Sequence, residues 1–307
     1  VKYGGWRLKR LWMAPFMGTR LGENLYEWLT ARVLGTERGM SRKWCCWFRE
    51  HLVLSRRFGR AAIPGCKLWL LSPGWSLAPV IMGRMVTGKG PSVTEERPRL
   101  ARRYLASAVD EVAKVAESVS RAAGLSTPDL TLLDALRSAP SPRAAIEACG
   151  ADYLVGRMGR IEGPPAGSAS LCMSMGRLEH FTESELADLF GLMRRALQPG
   201  GVGSHIVDHR DHYWHFDKSI HCFHHLTFSD KDWSQIAHGE KAYRNRLLES
   251  DYLRLFEAAG FEVRACIHET HRHDADGVDP ATLWGRYRDL TRADLEAAVT
   301  HFIVRRT

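Results

Sequence analysis

The strongest constraint on this chain is an alternation of short apolar runs with capped helical stretches between residues 67 and 270. Lys67–Leu71 (KLWLL) is a brief apolar run stopped by Ser72-Pro73-Gly74, the profile of a buried strand ending in a turn. Ser168–Met175 (SASLCMSM) and Gly203–Val207 (GSHIV) read as further strands, and Phe261–Ile267 (FEVRACI) alternates with a strand's period of two. Helices stand between them. Residues 98–124 place Leu105, Ala108, Val109, Val112, Ala116 and Val119 on one face. A Pro/Ser-rich stretch from Leu125 to Pro142 leads to a weaker helix, Arg143–Cys149. Glu183–Leu197 follows a Ser/Thr cap and precedes Pro-Gly, and Ser250–Ala259 opens on Ser250 as N-cap and stops at Gly260. Strands alternating with helices imply a mostly parallel sheet covered on both faces.

The length of 307 residues accommodates one large α/β domain with an appendage. With 45% hydrophobic and 25% charged residues, the composition argues against disorder or a fibre. The seven cysteines are scattered and form no CxxC pair, which excludes the usual structural zinc spacing and an obvious redox motif. A reduced, cytoplasmic protein is the expectation. No uninterrupted apolar run is long enough to predict a membrane span. The basic start lacks a signal peptide's apolar core, because Pro15 breaks it.

Charge is unevenly divided. Residues 1–60 hold thirteen Lys/Arg against four Asp/Glu, a balance of +9, whereas the remainder balances to −1. The same end carries Trp6, Trp12, Trp28, Trp44 and Trp47, half of the tryptophans. Leu21, Leu25, Trp28 and Leu29 fall at helical spacing within residues 21–35. Three readings fit such a segment: a nucleic-acid contact, a membrane-surface contact, and a helical cap whose basic stems cover apolar surface. The cap is favoured, because no run of five like charges occurs.

Three groups of residues bear on chemistry. The first is Ser72-Pro73-Gly74-Trp75 after the first strand, followed some twenty residues on by Glu95 and Glu96. Small residues at a strand tip let backbone amides approach a ligand, and an acid at the next tip can accept hydrogen bonds from a ribose diol. An ordinary tight turn with a solvated acidic pair accounts for these residues about equally well. The second group is Leu178-Glu179-His180 after one strand and Leu197-Gln198-Pro199-Gly200-Gly201 before the next. The third is Asp208-His209-Arg210-Asp211-His212-Tyr213 with His224 and His225, in a region that holds most of the fourteen histidines. A neutral imidazole can take a proton from an ammonium or hydroxyl group. A metal site is the weaker alternative, since magnesium would want more carboxylates and zinc a fixed triad. No metal is assigned.

With its Leu-Glu-His, Leu-x-Pro-Gly-Gly and Gly260-Phe261-Glu262-Val263 segments in order, the chain resembles the class I S-adenosylmethionine-dependent methyltransferases over residues 67–270. The Asp-x-x-Asp-His-Tyr stretch and Asn245-Arg246 resemble a bacterial subgroup with small-molecule acceptors. The resemblance implies a Rossmann-like, mostly parallel seven-stranded sheet with an antiparallel terminal strand, the Phe261 segment being its entry. With the basic, tryptophan-rich helical cap read over residues 1–62, it implies a methyltransferase domain over 63–307 with an acceptor-site insertion around 208–250. It implies S-adenosyl-L-methionine as cofactor, held by Ser72, Gly74, Trp75, Glu95, Glu96, Met175 and Glu179. The acceptor would meet Asp208, His180, His225 and Tyr213, with His212, Asp211 and His224 in catalysis.

Two departures stand out. In the family's E-x-G-x-G loop the acid position is Leu70 and the first glycine is Ser72, so the cofactor's ammonium lacks its usual acid. The expected activity is N- or O-methylation of a small molecule, an amino-sugar or aminoglycoside natural product fitting the carboxylates. The alternatives are an inactive binding or scaffold protein on the same fold and, more remotely, an RNA methyltransferase. Ser174-Met175-Gly176-Arg177 replaces the Asn/Asp-Pro-Pro-aromatic tetrapeptide of amino-methylating nucleic-acid enzymes, which argues against a nucleic-acid partner. A homodimer is left open.

Overall fold

The computed structural model describes residues 5–17, 19–29, 39–74, 76–96, 102–156, 162–237, 243–268 and 276–307, with the side chains of residues 20 and 27 outside the description. Seven strands form one sheet among these residues: β1 (Leu68–Leu71), β2 (Ser92–Glu95), β3 (Asp152–Val155), β4 (Ala169–Met175), β5 (Leu197–Asp208), β6 (Phe261–His268) and β7 (Val299–Arg306). Their spatial order is β3-β2-β1-β4-β5-β7-β6. Strands β1 to β5 pair in parallel, and β7 runs antiparallel to both neighbours, β5 and β6. The antiparallel strand is therefore the last one in sequence. The Phe261 strand, expected in that role, is instead a parallel edge strand beyond it.

The strand–helix alternation follows from two-sided burial. Side chains on β1 alternate faces, so Leu68 and Leu70 enter one core while Trp69 and Leu71 enter the other. The first core is closed by α3 (Met40–Arg57), α4 (Ala78–Thr87) and α5 (Arg102–Ala123), through Trp44, Phe48, Leu52, Ile81, Val109 and Val112. The second is closed by α8 (Glu183–Ala196) and α10 (Glu249–Ala258), where Phe190 and Phe256 stack with centroids 4.2 Å apart. Helix α3 lies before residue 62, yet its buried face belongs to the main core.

Two short helices precede it, α1 (Gly5–Met13) and α2 (Arg20–Leu29); the part of the expected 21–35 helix beyond residue 29 lies outside the described residues. Likewise, α5 accounts for residues 102–123 of the expected 98–124 helix. Helices α6 (Thr131–Arg137) and α7 (Pro142–Ala148) follow it, α6 arising within the Pro/Ser-rich stretch where no helix was expected. Leu133 and Leu136 dock α6 on the core, a tertiary contact that composition does not reveal.

Helix α9 (Asp230–Ile236) lies in the insertion and α11 (Arg292–Glu296) precedes β7. Thr182 and Glu185 form a reciprocal capping box at α8, as its sequence suggests. Ser250 is not the cap of α10. That helix starts one residue earlier, and the Asp251 carboxylate accepts the Leu248 amide at 3.1 Å. Strand β5 also starts earlier than expected. Leu197 pairs with Ala169, then Gln198–Gly201 shift the register before Val202 pairs with Leu171, with Gly200 at φ +76°.

Candidate active site at the strand tips

The carboxyl ends of β1, β2, β4 and β5 converge on one edge of the sheet, where ligands of open α/β sheets bind. At the tip of β1 the chain turns sharply. Ser72 sits at φ +50° and Gly74 at φ +73°, so Ser72 adopts the left-handed conformation that a glycine would take more cheaply. The Pro73 carbonyl accepts the Trp44 indole N–H at 2.9 Å, and the Gly74 amide donates to Glu95 Oε1 at 2.6 Å. Buried Glu95 thus ties the tip of β2 to the loop after β1. Ser72 Oγ is buried and has no hydrogen-bond partner. Trp75 lies outside the described residues.

Just beyond β2 and β4, Glu96 and Arg177 form an ion pair. Because β1 lies between those strands, this pair bridges the tip of β1. Gly176 is exposed at φ +59°, leaving the β4 tip open, whereas Met175 packs into the first core. Met175 is therefore a core residue rather than a free cofactor ledge. Leu70 is fully buried, so no carboxylate faces the crevice from the position where the family pattern has one.

A buried polar cluster lies past the tip of β5, beside the β4 tip. At its centre is Arg244, 1% exposed, whose Nη1 and Nη2 have no hydrogen-bond partner. Asp208 stands 3.7 Å from Nη2 but is engaged elsewhere: Arg210 donates from Nε at 2.9 Å and from Nη2 at 3.1 Å, and His215 Nε2 lies at 3.3 Å. Burial alone would raise the Asp208 carboxyl, yet His215, Arg244 and Arg210 together hold it well below the ordinary range. Asp211 caps the 3₁₀ turn His212–His215 by accepting the Tyr213 amide at 2.7 Å, leaving Oδ2 buried and unpartnered. Burial pushes Asp211 up to about 6 against the pull of the Tyr213 amide and Arg244.

Glu179 is the carboxylate of this cluster on the β4 side. It follows the β4 tip, is buried, and has an unpartnered Oε2; a Cβ on Gly176 would lie 3.6 Å from its other oxygen. Burial raises its pKa to about 7, with Arg244 opposing. His180 holds the Tyr243 carbonyl at 2.9 Å through Nδ1, and its ring centroid lies 5.0 Å from that of His212. Burial, then Arg177 and Arg244, lowers His180 to about 3; burial and Arg244 likewise hold His212 and His225 well below an ordinary histidine. Asn245 fixes the segment that carries Arg244: its amide donates to the Leu178 and Phe181 carbonyls at 3.2 and 2.9 Å, and its backbone N–H to Glu179 O at 2.8 Å.

An aromatic wall closes the outer side. Trp6 of α1 packs on Tyr213, His224 and Phe228 at 5.7, 5.4 and 5.8 Å, and its amide donates to Asp217 at 3.0 Å. Lys9 reaches over the same wall, 5.7 Å from the Tyr213 ring. Burial lowers it to about 8, with Asp211 opposing.

The structure thus gathers Glu179, His180, Asp208, Asp211, His212 and His225 around Arg244, and puts Tyr213 and His224 in the wall. Besides Met175, two expected roles change. His224 faces Trp6 and His221 rather than the cluster's centre. Asp208 is neutralised by its arginines and is not free to meet a cation. Arg244 was missed by the sequence reading; Arg210, His215 and Asn245 fell within segments that it singled out, but none of them was given a role.

No family model and no curated protein matches the chain. Among solved structures it is similar to geranyl diphosphate C-methyltransferase from Streptomyces coelicolor A3(2), at 13% identity over 84% of this chain and 78% of that one, TM-score 0.45. It is similar at 14% identity to Haemonchus contortus phosphoethanolamine N-methyltransferase 2, covering 90% of this chain and 59% of that one, TM-score 0.46. The (4+2)-cyclase SpnF matches at 13% over 84% and 80%, TM-score 0.43. The strand order and the single antiparallel strand, which do not depend on these likenesses, give the chain the Rossmann-like fold of the class I S-adenosylmethionine-dependent methyltransferases.

Proposed function

We propose that the protein is an S-adenosylmethionine-dependent methyltransferase acting on oxygen or nitrogen of a small polar molecule. The observation that supports this reading is a set of polar groups at the tips of β1 and β2, the buried Ser72 hydroxyl and the Glu95-held Gly74 turn, beside a buried cluster of unpartnered polar atoms around Arg244. Ser72 with its orphan hydroxyl, Gly74, Gly176 and the Glu95 carboxylate fit a nucleoside and its ribose, while buried Leu70 leaves the amino-acid end to other contacts. When bound, the cofactor supplies an electrophilic methyl group on a sulfonium.

The chain's own residues position the acceptor, exclude water and take its proton. Glu179 is the group suited to the last task. A base with pKa about 7, on the β4 side of the cluster, can exchange a proton at neutral pH. His212 and His224, the histidines expected to do so, are held too far down to compete. Arg244 offers two N–H groups to an oxygen of the acceptor, and Asp211 and Glu179 accept from its hydroxyl or amine. A polycationic amino-sugar loses its basis here, because Asp208 is spent on arginines and the other two carboxyls are raised toward neutrality.

Methyl-labelled cofactor offered with a panel of hydroxyl and amine acceptors tests the reading. E179Q should lower turnover at least about a hundredfold while S-adenosylhomocysteine affinity stays within about twofold, and wild-type turnover should rise through pH 7 as Glu179 loses its proton. Unchanged turnover in E179Q would assign the proton elsewhere. Cofactor binding without transfer to any acceptor would favour the binding-protein alternative.

A further inference from the structure

The described residues expose eleven large apolar side chains, and six of them lie in α1 and α2: Leu8, Leu11, Trp12, Leu21, Leu25 and Trp28. They are not scattered. Leu8, Leu11 and Trp12 share one face of α1, and Leu21, Leu25 and Trp28 form a stripe along α2 at positions i, i+4 and i+7. Leu21 is 81% exposed and Leu11 65%. Trp12, Phe16 and Tyr26 join the two helices, with centroids 5.3 to 6.0 Å apart.

Helix α2 turns the usual pattern outward, burying Glu23 and presenting leucine and tryptophan to water. Basic charge is concentrated on α1, since α2 holds Arg20 against Glu23 and Glu27. Helix α1 contains Arg7, Lys9 and Arg10 and no acid, within a segment of +9.

We infer that the α1–α2 hairpin docks on an anionic lipid surface. Leucine and tryptophan on one face with an exposed arginine beside them is the composition of helices that lie in the membrane interface, where apolar burial and attraction to anionic headgroups act together. Trp6, on the opposite face of the same α1, packs on Tyr213 and His224, so docking would leave the aromatic wall covered by α1.

Co-sedimentation of the full chain with phosphatidylcholine vesicles, with and without phosphatidylglycerol, tests this. Binding should require phosphatidylglycerol and weaken as salt rises. R7Q should reduce affinity about fivefold, and L11S with L21S at least about tenfold. These side chains are exposed, so circular dichroism should show both variants folded. No sedimentation, equal sedimentation with phosphatidylcholine alone, or unchanged binding of the leucine variant would overturn the inference. So would a dimer in sedimentation equilibrium that the leucine variant abolishes, since a second copy would then cover the face.

Discussion

Nine histidines of the described structure, among them His51, His205 and His209, are held below their ordinary pKa, burial being the largest cause for each. His205 shows the consequence. It is fully buried on β5, with Nδ1 2.8 Å from Ser174 Oγ, and its pKa is lowered to about 3. The unfolded chain takes this proton near pH 6.5, whereas the folded protein refuses it until about 3. The unfolded state therefore binds more protons throughout that window, and stability falls as pH drops below 6.5. Glu179 and Asp211, raised to about 7 and 6, act oppositely, but two carboxyls do not offset nine imidazoles. Urea unfolding from pH 7 to 5 should show falling stability. H205Q should flatten the slope by up to about 1.4 kcal/mol per pH unit; equal slopes would contradict the buried-neutral assignment. At this scale the sequence was legible in part. The histidine density and the Asp-x-x-Asp-His-Tyr stretch pointed to residues that gather in the buried polar cluster, but Arg244 sits in a polar stretch with no periodic signal. Its role arises because Asn245 ties that stretch to the β4 tip.

Among the elements, α8 and α10 contrast what local rules reveal. The capping box of α8 is written in four consecutive residues, and T182A should cost about 1 kcal/mol in chemical denaturation; no loss would mean that Glu185 alone holds that end. The start of α10 is set by Asp251 reaching back to Leu248 and by ion pairs from Arg286 at 2.9 Å, so the plausible local cap at Ser250 is overruled. The direction of β6 was misjudged for a similar reason. Its own residues say strand, but whether it is parallel depends on β7 entering between it and β5. Helix α3 is a further case: its basic, tryptophan-rich sequence reads as a cap, whereas Trp44, Phe48 and Leu52 are core. F48A should therefore cost about 3–5 kcal/mol, far more than a detachable appendage would. A loss under about 1 kcal/mol would contradict that placement.

Across the whole molecule, the strand–helix alternation was enough to anticipate a parallel sheet covered on both faces, because each strand's apolar run must be buried from two sides. The crevice was legible through its turn residues. What the sequence did not reveal is how the tips are joined, by Glu95 on the Gly74 amide and by Glu96 on Arg177. These ties place carboxylates at the crevice while leaving Leu70 where an acid would hold the cofactor's ammonium. The central claim is that a sulfonium nucleoside binds over these tips despite that loss. Titration calorimetry of the full chain with S-adenosylhomocysteine tests it most directly: the account predicts saturable one-to-one binding, weakened by E95A, whereas no heat and no thermal shift at saturating ligand would contradict it.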